Sequence, residues 1–201
     1  MQLKPISFSG EKITYLAPTW KQLESLAFNL AQKIIKDGLK IDRIVTLAKG
    51  GWPMTRSLVD FLKVDKVASI GVKFYSGINQ RLEKPEIYQD LPVCVKDEKV
   101  LLFDDVADSG ESLLFVKNYL LSCGVKEIKT AALFYKSHSK IEPDFWGAKT
   151  DAWIIFPYEA IESINILGKK WEQKGFSKSE IETRFAKMNF KKDWVNYFMN
   201  L

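Results

Sequence analysis

The chain has 201 residues, 46% of them hydrophobic, with thirteen Phe, seven Tyr and six Trp, enough to bury a full core and to exclude a disordered chain. No apolar run approaches the ~20 residues of a membrane span, and the opening Met1-Gln-Leu-Lys-Pro-Ile-Ser lacks the apolar segment of a secretory signal. The net charge of +5 points to anionic partners, for which nucleic acid, anionic lipid and phosphorylated metabolites all qualify; the lysines are dispersed among acids rather than blocked and read mostly as a solvated surface, and neither a membrane nor a nucleic acid is the predicted partner. Cys94 and Cys123 fit no metal spacing and read as reduced thiols, which suits the cytosol.

Residues 12–16 alternate and predict a short first strand. Thr19 with Gln22 forms a capping-box pattern that opens a helix, and Trp20, Leu23, Ala27, Leu30 and Ile34 share one stripe of it until Asp37-Gly38. Residues 41–48 form the next strand, which runs into Lys49-Gly50-Gly51. A helix follows Pro53, and residues 66–75 are rich in strand formers. From Ser76 to Pro92 periodicity is lost, as in a functional lid or a disordered loop.

The next stretch, Val100-Leu-Leu-Phe-Asp-Asp-Val-Ala-Asp-Ser-Gly-Glu-Ser112, organises the chain. Its apolar run reads as a buried parallel strand. Two carboxylates and a small hydroxyl-rich loop follow, then a helix to Cys123. A loop that opens a helix offers N–H groups to a phosphate. The carboxylates can accept from sugar hydroxyls or hold hydrated Mg²⁺. Successive strand residues face opposite sides, so a turn beginning at Asp104 is needed for both acids to reach one ligand. Asp108 is either a helix N-cap or a group directed away from the phosphate.

Residues 127–135 form another strand, 136–150 an irregular stretch and 151–156 a last strand. The tail is helical: Ile161, Ile164, Leu167 and Trp171 share one face, Trp194, Tyr197, Phe198 and Leu201 another, and Ser177 with Glu180 reads as a capping box. Strand–helix alternation predicts an α/β fold with a parallel core sheet flanked by helices. His138, the only histidine, has no partner at metal-ligand spacing and no adjacent nucleophile, and reads as incidental.

The stretch from Val100 to Ser112 resembles the 5-phosphoribosyl-1-pyrophosphate (PRPP) signature of type I phosphoribosyltransferases, with Ser109 and Ser112 where Thr is more usual. The closest likeness is to the xanthine-guanine and hypoxanthine (6-oxopurine) enzymes. The resemblance implies PRPP contacts from Lys49, Gly50 and Gly51 (pyrophosphate), Asp104 and Asp105 (ribose hydroxyls, directly or through Mg²⁺), and Val106, Ala107, Asp108, Ser109, Gly110, Glu111 and Ser112 (5-phosphate loop). It makes Asp108 the catalytic residue that takes the proton of the base. It implies a mobile hood loop with Tyr75, Asn79, Gln80 and Arg81. It implies a purine site with Lys136 on O6, Trp153 stacked on the ring, Ile154 offering backbone groups and Glu159 near the 2-substituent. From the residues alone, core packing for Trp153 and a surface lysine for Lys136 are the alternative readings.

These features predict a phosphoribosyltransferase domain over residues 1–159 and a helical extension over 160–201, packed on the core or at an interface. The predicted partners are PRPP and a purine base, in a cytosolic homodimer that salvages purines. A PRPP-sensing regulator on the same fold, or an enzyme for adenine, orotate or uracil, are the alternatives.

Overall fold

The computed structural model describes residues 3–77 and 80–199, with 74–77 and 80–84 described by their backbone alone. The strands are β1 (Ile6–Ser7), β2 (Thr14–Leu16), β3 (Arg43–Ala48), β4 (Lys66–Gly77), β5 (Gln80–Gln89), β6 (Lys99–Ala107), β7 (Glu127–Tyr135), β8 (Phe145–Lys149) and β9 (Trp153–Ile154). The helices are α1 (Trp20–Lys36), α2 (Trp52–Leu62), α3 (Glu111–Ser122), α4 (Ala160–Gln173), α5 (Lys178–Lys187) and α6 (Lys192–Met199). Two compact units result: Glu24–Asp151, and Met1–Leu23 with Ala152–Leu201. The division falls inside α1 and ahead of β9, whereas the sequence suggested one at 159/160. Among the described residues no helix is long and apolar enough to cross a membrane.

The larger unit carries a six-stranded sheet in the order β5-β4-β3-β6-β7-β8. Its strands from β4 to β8 are parallel, as predicted, and β5 is an antiparallel edge. β3 and β6 are buried because their apolar residues serve both faces. Val45, Leu47, Val100 and Leu102 pack with Leu113, Val116 and Leu120 of α3. Their alternates Ile44, Leu101 and Phe103 point to the other face and are also fully buried. Each such side chain contributes about 1.5–3 kcal/mol. At the amino end of the sheet, Arg43 donates to both Glu98 oxygens, at 2.6 and 2.9 Å.

Three sequence expectations are corrected. The region from Ser76 to Pro92 is not one irregular loop: residues 80–89 form β5, paired with β4 through register shifts. An edge strand needs no continuous apolar face and tolerates Pro85, so its polar sequence hid it. Among the side chains described there, Ile87 packs on the core, with Glu86 and Tyr88 exposed. The stretch 136–150 contains β8, parallel to β7. Gly147 sits at its centre, where any side chain would strike Leu26 and the Leu133 carbonyl. The last strand shrinks to Trp153–Ile154 and joins a different sheet, β1-β2-β9, for which the sequence lacked β1.

The α1 capping box is present: Thr19 N–H donates to Gln22 Oε1 at 2.8 Å and Gln22 N–H to Thr19 Oγ1 at 3.3 Å. Leu23, Ala27, Leu30 and Ile34 are buried, while Trp20 is exposed. The Ser177–Glu180 capping box also forms. In the smaller unit, Ile164, Leu167 and Trp171 of α4 are buried as predicted, but Ile161 is exposed. In α6 it is Val195 that is buried, with Trp194 and Tyr197 outward; Leu201 lies outside the described residues.

That unit closes around one carboxylate. Glu11, its side chain 1% exposed, accepts from Tyr15 Oη at 2.6 Å, Trp171 Nε1 at 2.7 Å, Lys170 Nζ at 3.1 Å and Lys174 Nζ at 3.3 Å. Arg184 Nη1 lies 3.7 Å away, its guanidinium stacked 3.9 Å from the Phe176 ring centroid. Burial raises the pKa of this carboxyl, but the hydrogen bonds from Tyr15, Trp171, Lys170 and Lys174 outweigh it and hold the value at about 2. A depressed carboxyl pKa stabilises the fold above the unfolded value and loses that contribution as pH falls through the folded one. Glu11→Gln should therefore cost on the order of 3 kcal/mol at neutral pH. It should also flatten the loss of stability between about pH 5 and pH 2. Urea denaturation of both chains across that range checks it, and parallel pH profiles would sink the assignment.

Candidate functional site

The site in the larger unit follows from strand register. β3 and β6 are parallel neighbours, with Thr46 opposite Phe103, so their carboxyl ends emerge side by side. Ligands bind at this end of open α/β sheets. β3 delivers Lys49-Gly50-Gly51, and the Ala48–Lys49 peptide is cis. Thr55 of α2 ties this turn down by donating from Oγ1 to the Gly51 carbonyl at 2.7 Å, while its hydroxyl and that of Thr46 are hydrogen-bonded at 2.9 Å. Neither glycine has room for a side chain. A methyl group on Gly50 would collide with the Asp105 carboxylate, and one on Gly51 with Thr46 Oγ1. Tyr88 of β5 covers Gly71 and donates to the Ala48 carbonyl at 3.3 Å.

β6 delivers the acids. The turn predicted at Asp104 comes later, because β6 stays paired to β7 through Ala107 opposite Tyr135. Asp105 is 5% exposed and directed to Gly50, and its N–H donates to Asp104 Oδ1 at 2.9 Å. The loop through Val106, Ala107, Asp108 and Ser109 then reaches Gly110, whose φ of 74° only glycine adopts readily. Gly110 is the N-cap of α3, and no side chain caps the helix. This removes the N-cap role considered for Asp108. Ser109 Oγ accepts from Glu111 N–H at 3.3 Å, and the Ser109 carbonyl from Lys140 N–H at 2.9 Å. Glu111 pairs with Lys140 across the loop, and Ser112 lies in the first turn of α3.

The end of β7 supplies the remaining groups. Lys136 is 6% exposed, so it is not a surface lysine, and its N–H donates to the Ala107 carbonyl at 3.1 Å. Its Nζ lies 3.8 Å from Asp108 Oδ2. His138, read from the sequence as incidental, places Nε2 2.8 Å from Asp108 Oδ1. The intervening Ser137 donates from N and Oγ to Asp151 Oδ1, at 2.9 and 2.7 Å. These bonds, the Ser137 hydroxyl first, hold the Asp151 carboxyl below its ordinary range. Asp151, His138 and Tyr88 are the residues that sequence reasoning missed. The one usable signal was that His138 lies two residues past Lys136.

Tyr75, Gln80 and Arg81 lie on β4 and β5, where the Tyr75 and Arg81 backbones pair. Asn79 lies outside the described residues. In the smaller unit, Trp153 is 46% exposed, which excludes plain core packing, and Ile154 is buried in β9. Trp153 and Glu159 line one cleft of about 180 Å³ with Glu162, Ser163, Ile166 and Leu167.

Among the described residues, no group of three or more His, Cys, Asp or Glu side chains is arranged to hold a metal. Asp104 and Asp105 are two hard oxygen donors at a strand end. That set suits Mg²⁺, which is commonly held by one or two carboxylates plus water and substrate phosphates.

Residues 19–160 match the family described as phosphoribosyl transferase domain. The chain is 26% identical over 152 residues to the xanthine-guanine phosphoribosyltransferase of Gluconobacter oxydans, spanning 74% of this chain and 87% of that protein. A purine phosphoribosyltransferase structure from Pyrococcus horikoshii superposes with a TM-score of 0.63 at 35% identity, over 72% of this chain and 91% of that one. The xanthine-guanine-hypoxanthine phosphoribosyltransferase of Helicobacter pylori shares the fold, with a TM-score of 0.60 at 21% identity over 74% and 94% of the two chains.

The clearance at Gly50 gives a direct check on this geometry. Gly50→Ala forces a methyl group onto a buried carboxylate and should cost about 1–3 kcal/mol, as overpacking does. An unchanged denaturation midpoint would mean that the Asp105 side chain is free to move aside.

Proposed function

The chain belongs to the phosphoribosyl transferase family, as an enzyme of its purine class, and from that premise we propose that it moves the 5-phosphoribosyl group of PRPP onto a 6-oxopurine. The observation that carries this reading is the buried Lys136 beside Asp108 at the carboxyl end of the sheet. A 6-oxopurine offers a carbonyl oxygen to accept from an ammonium and a ring N–H whose proton must leave. Lys136 answers the first need and the Asp108 carboxylate the second.

In this reading the base nitrogen attacks C1 of the ribose while the C1–O bond breaks, and the bonding electrons leave with pyrophosphate. Positive charge builds on the ribosyl group, so fixed carboxylates at Asp104 and Asp105 lower the barrier. The loop Ala107–Ser112 and the N-terminus of α3 hold the 5-phosphate with backbone N–H groups. Lys49 and the Gly50 and Gly51 amides hold the pyrophosphate, and Gly50 supplies the absence of side chain that a close approach needs. Mg²⁺, held by Asp104 and Asp105 when bound with substrate, would neutralise charge on the leaving group. The proton of the base nitrogen passes to Asp108 as the new bond forms. A lid of Tyr75, Asn79, Gln80 and Arg81 would exclude the water that competes for the ribosyl group.

In the smaller unit, the exposed Trp153 ring beside Glu159 suits a flat ring with a hydrogen-bond donor at its edge, and Ile154 would contribute backbone groups. A cytosolic setting, a homodimer and packing of residues 160–201 as an extension complete the proposal on family resemblance. Size-exclusion chromatography tests the dimer.

Purified protein with PRPP and Mg²⁺ should release pyrophosphate with hypoxanthine, guanine or xanthine. Release with adenine, orotate or uracil alone would overturn the base assignment, and no release with any base would overturn the reaction. Asp108→Asn should lower kcat about 100-fold or more, with little change in the KM for PRPP. Full activity of that variant would remove Asp108 from the mechanism.

A further inference from the structure

His138 touches the group on which the proposed chemistry turns. Its Nε2 lies 2.8 Å from Asp108 Oδ1. An ionised carboxylate only accepts, so Nε2 carries the hydrogen and donates. Among the described residues this is the sole hydrogen bond to the Asp108 carboxylate: the Lys136 ammonium, at 3.8 Å from Oδ2, is an ion-pair neighbour beyond hydrogen-bond distance.

The contact is built rather than accidental. On one side of His138, Lys136 N–H donates to the Ala107 carbonyl at 3.1 Å; on the other, Lys140 N–H donates to the Ser109 carbonyl at 2.9 Å. These two bonds bracket Asp108 on one strand of chain and His138 on the other. Inside the bracket, Ser139 N–H donates to the Lys136 carbonyl at 3.1 Å, and Ser137 is fixed by Asp151. Ser139 Oγ donates to the Ile141 carbonyl at 2.9 Å and crowds Gly110, which keeps the turn against the 5-phosphate loop. The turn of residues 136–140 thus presents the imidazole to the carboxylate. Both side chains are more than half exposed, at 59% and 58%, so packing does not hold Asp108 in place. A carboxylate on an exposed loop rotates freely unless a directional bond stops it.

We propose that His138 is a positioning residue for Asp108: it occupies Oδ1 and leaves Oδ2, on the Lys136 side, as the oxygen that receives the proton of the base. This rests on the phosphoribosyl-transfer reading above. A hydrogen bond to a charged group is among the stronger ones in proteins, and small displacements of a reacting group carry large kinetic penalties.

The test uses the full chain with PRPP, Mg²⁺ and the best oxopurine. His138→Phe removes the donor and should lower kcat about tenfold, leaving the KM for PRPP within about twofold. His138→Gln keeps an N–H donor on a side chain of similar reach and should restore most of kcat. In an Asp108→Asn background, His138→Phe should cause no further loss, because its effect runs through the carboxylate. An unchanged kcat in His138→Phe overturns the proposal, as does an equal loss in His138→Gln or an additive loss in the double variant. Wild-type protein that turns over no base would sink the transferase reading itself, an outcome distinct from all of these.

Discussion

The contact between Gly50 and the Asp105 carboxylate sets the geometry on which the site depends. It exists because β3 and β6 are adjacent parallel strands whose buried residues leave no freedom to slip. A shift by one residue would turn Val45, Leu47, Val100 and Leu102 away from α3 and expose their partners on the other face. The hydrophobic energy of the sheet therefore fixes where the two loops end. Glycine at 50 then lets the turn after β3 approach Asp105 closely. The glycine turn after β3 and the carboxylates of β6 are brought together by core packing, not by attraction between them.

The smaller unit solves a different problem by different means. Its strands are two or three residues long, too short to specify much. A buried carboxylate organises it instead. Glu11 collects donors from its own segment and from α4, while Phe8, Tyr15, Trp171 and Phe185 supply apolar area around it. Such a centre is costly to desolvate and stabilises only when its hydrogen bonds are complete. That makes it specific: the N-terminal segment and the tail have one arrangement in which Glu11 is satisfied.

Much of the site was legible because it lies in contiguous loops. Asp104 through Ser112 span the end of β6 and the loop into α3, Lys49 through Gly51 follow β3, and the resemblance of these runs to a known signature is what suggested a chemistry for them. His138 was not legible. Its partner is thirty residues earlier, and a solitary histidine carries no periodic signal. β5 and β8 escaped for a related reason: edge strands are half-exposed, so their sequences lack the apolar runs that mark β3, β6 and β7. The role of Asp108 was ambiguous from sequence, since an acid just ahead of a helix reads as a cap. The cap reading is removed by Gly110, which takes the N-cap position itself.

The sequence by itself determined the parallel core with its buried strands and intervening helices, the helix caps at Thr19 and Ser177, the glycine turn after β3 and the acidic stretch at the end of β6. Each is encoded over a few consecutive residues, where periodicity, turn chemistry and charge act locally. The tertiary structure alone decided that polar segments become edge strands, that Gly50 meets Asp105, that Lys136 is buried, and that His138 faces Asp108. Those relations depend on which strands become neighbours and in what register, and that is set by burial summed over the whole sheet rather than by any stretch of chain that carries the chemistry.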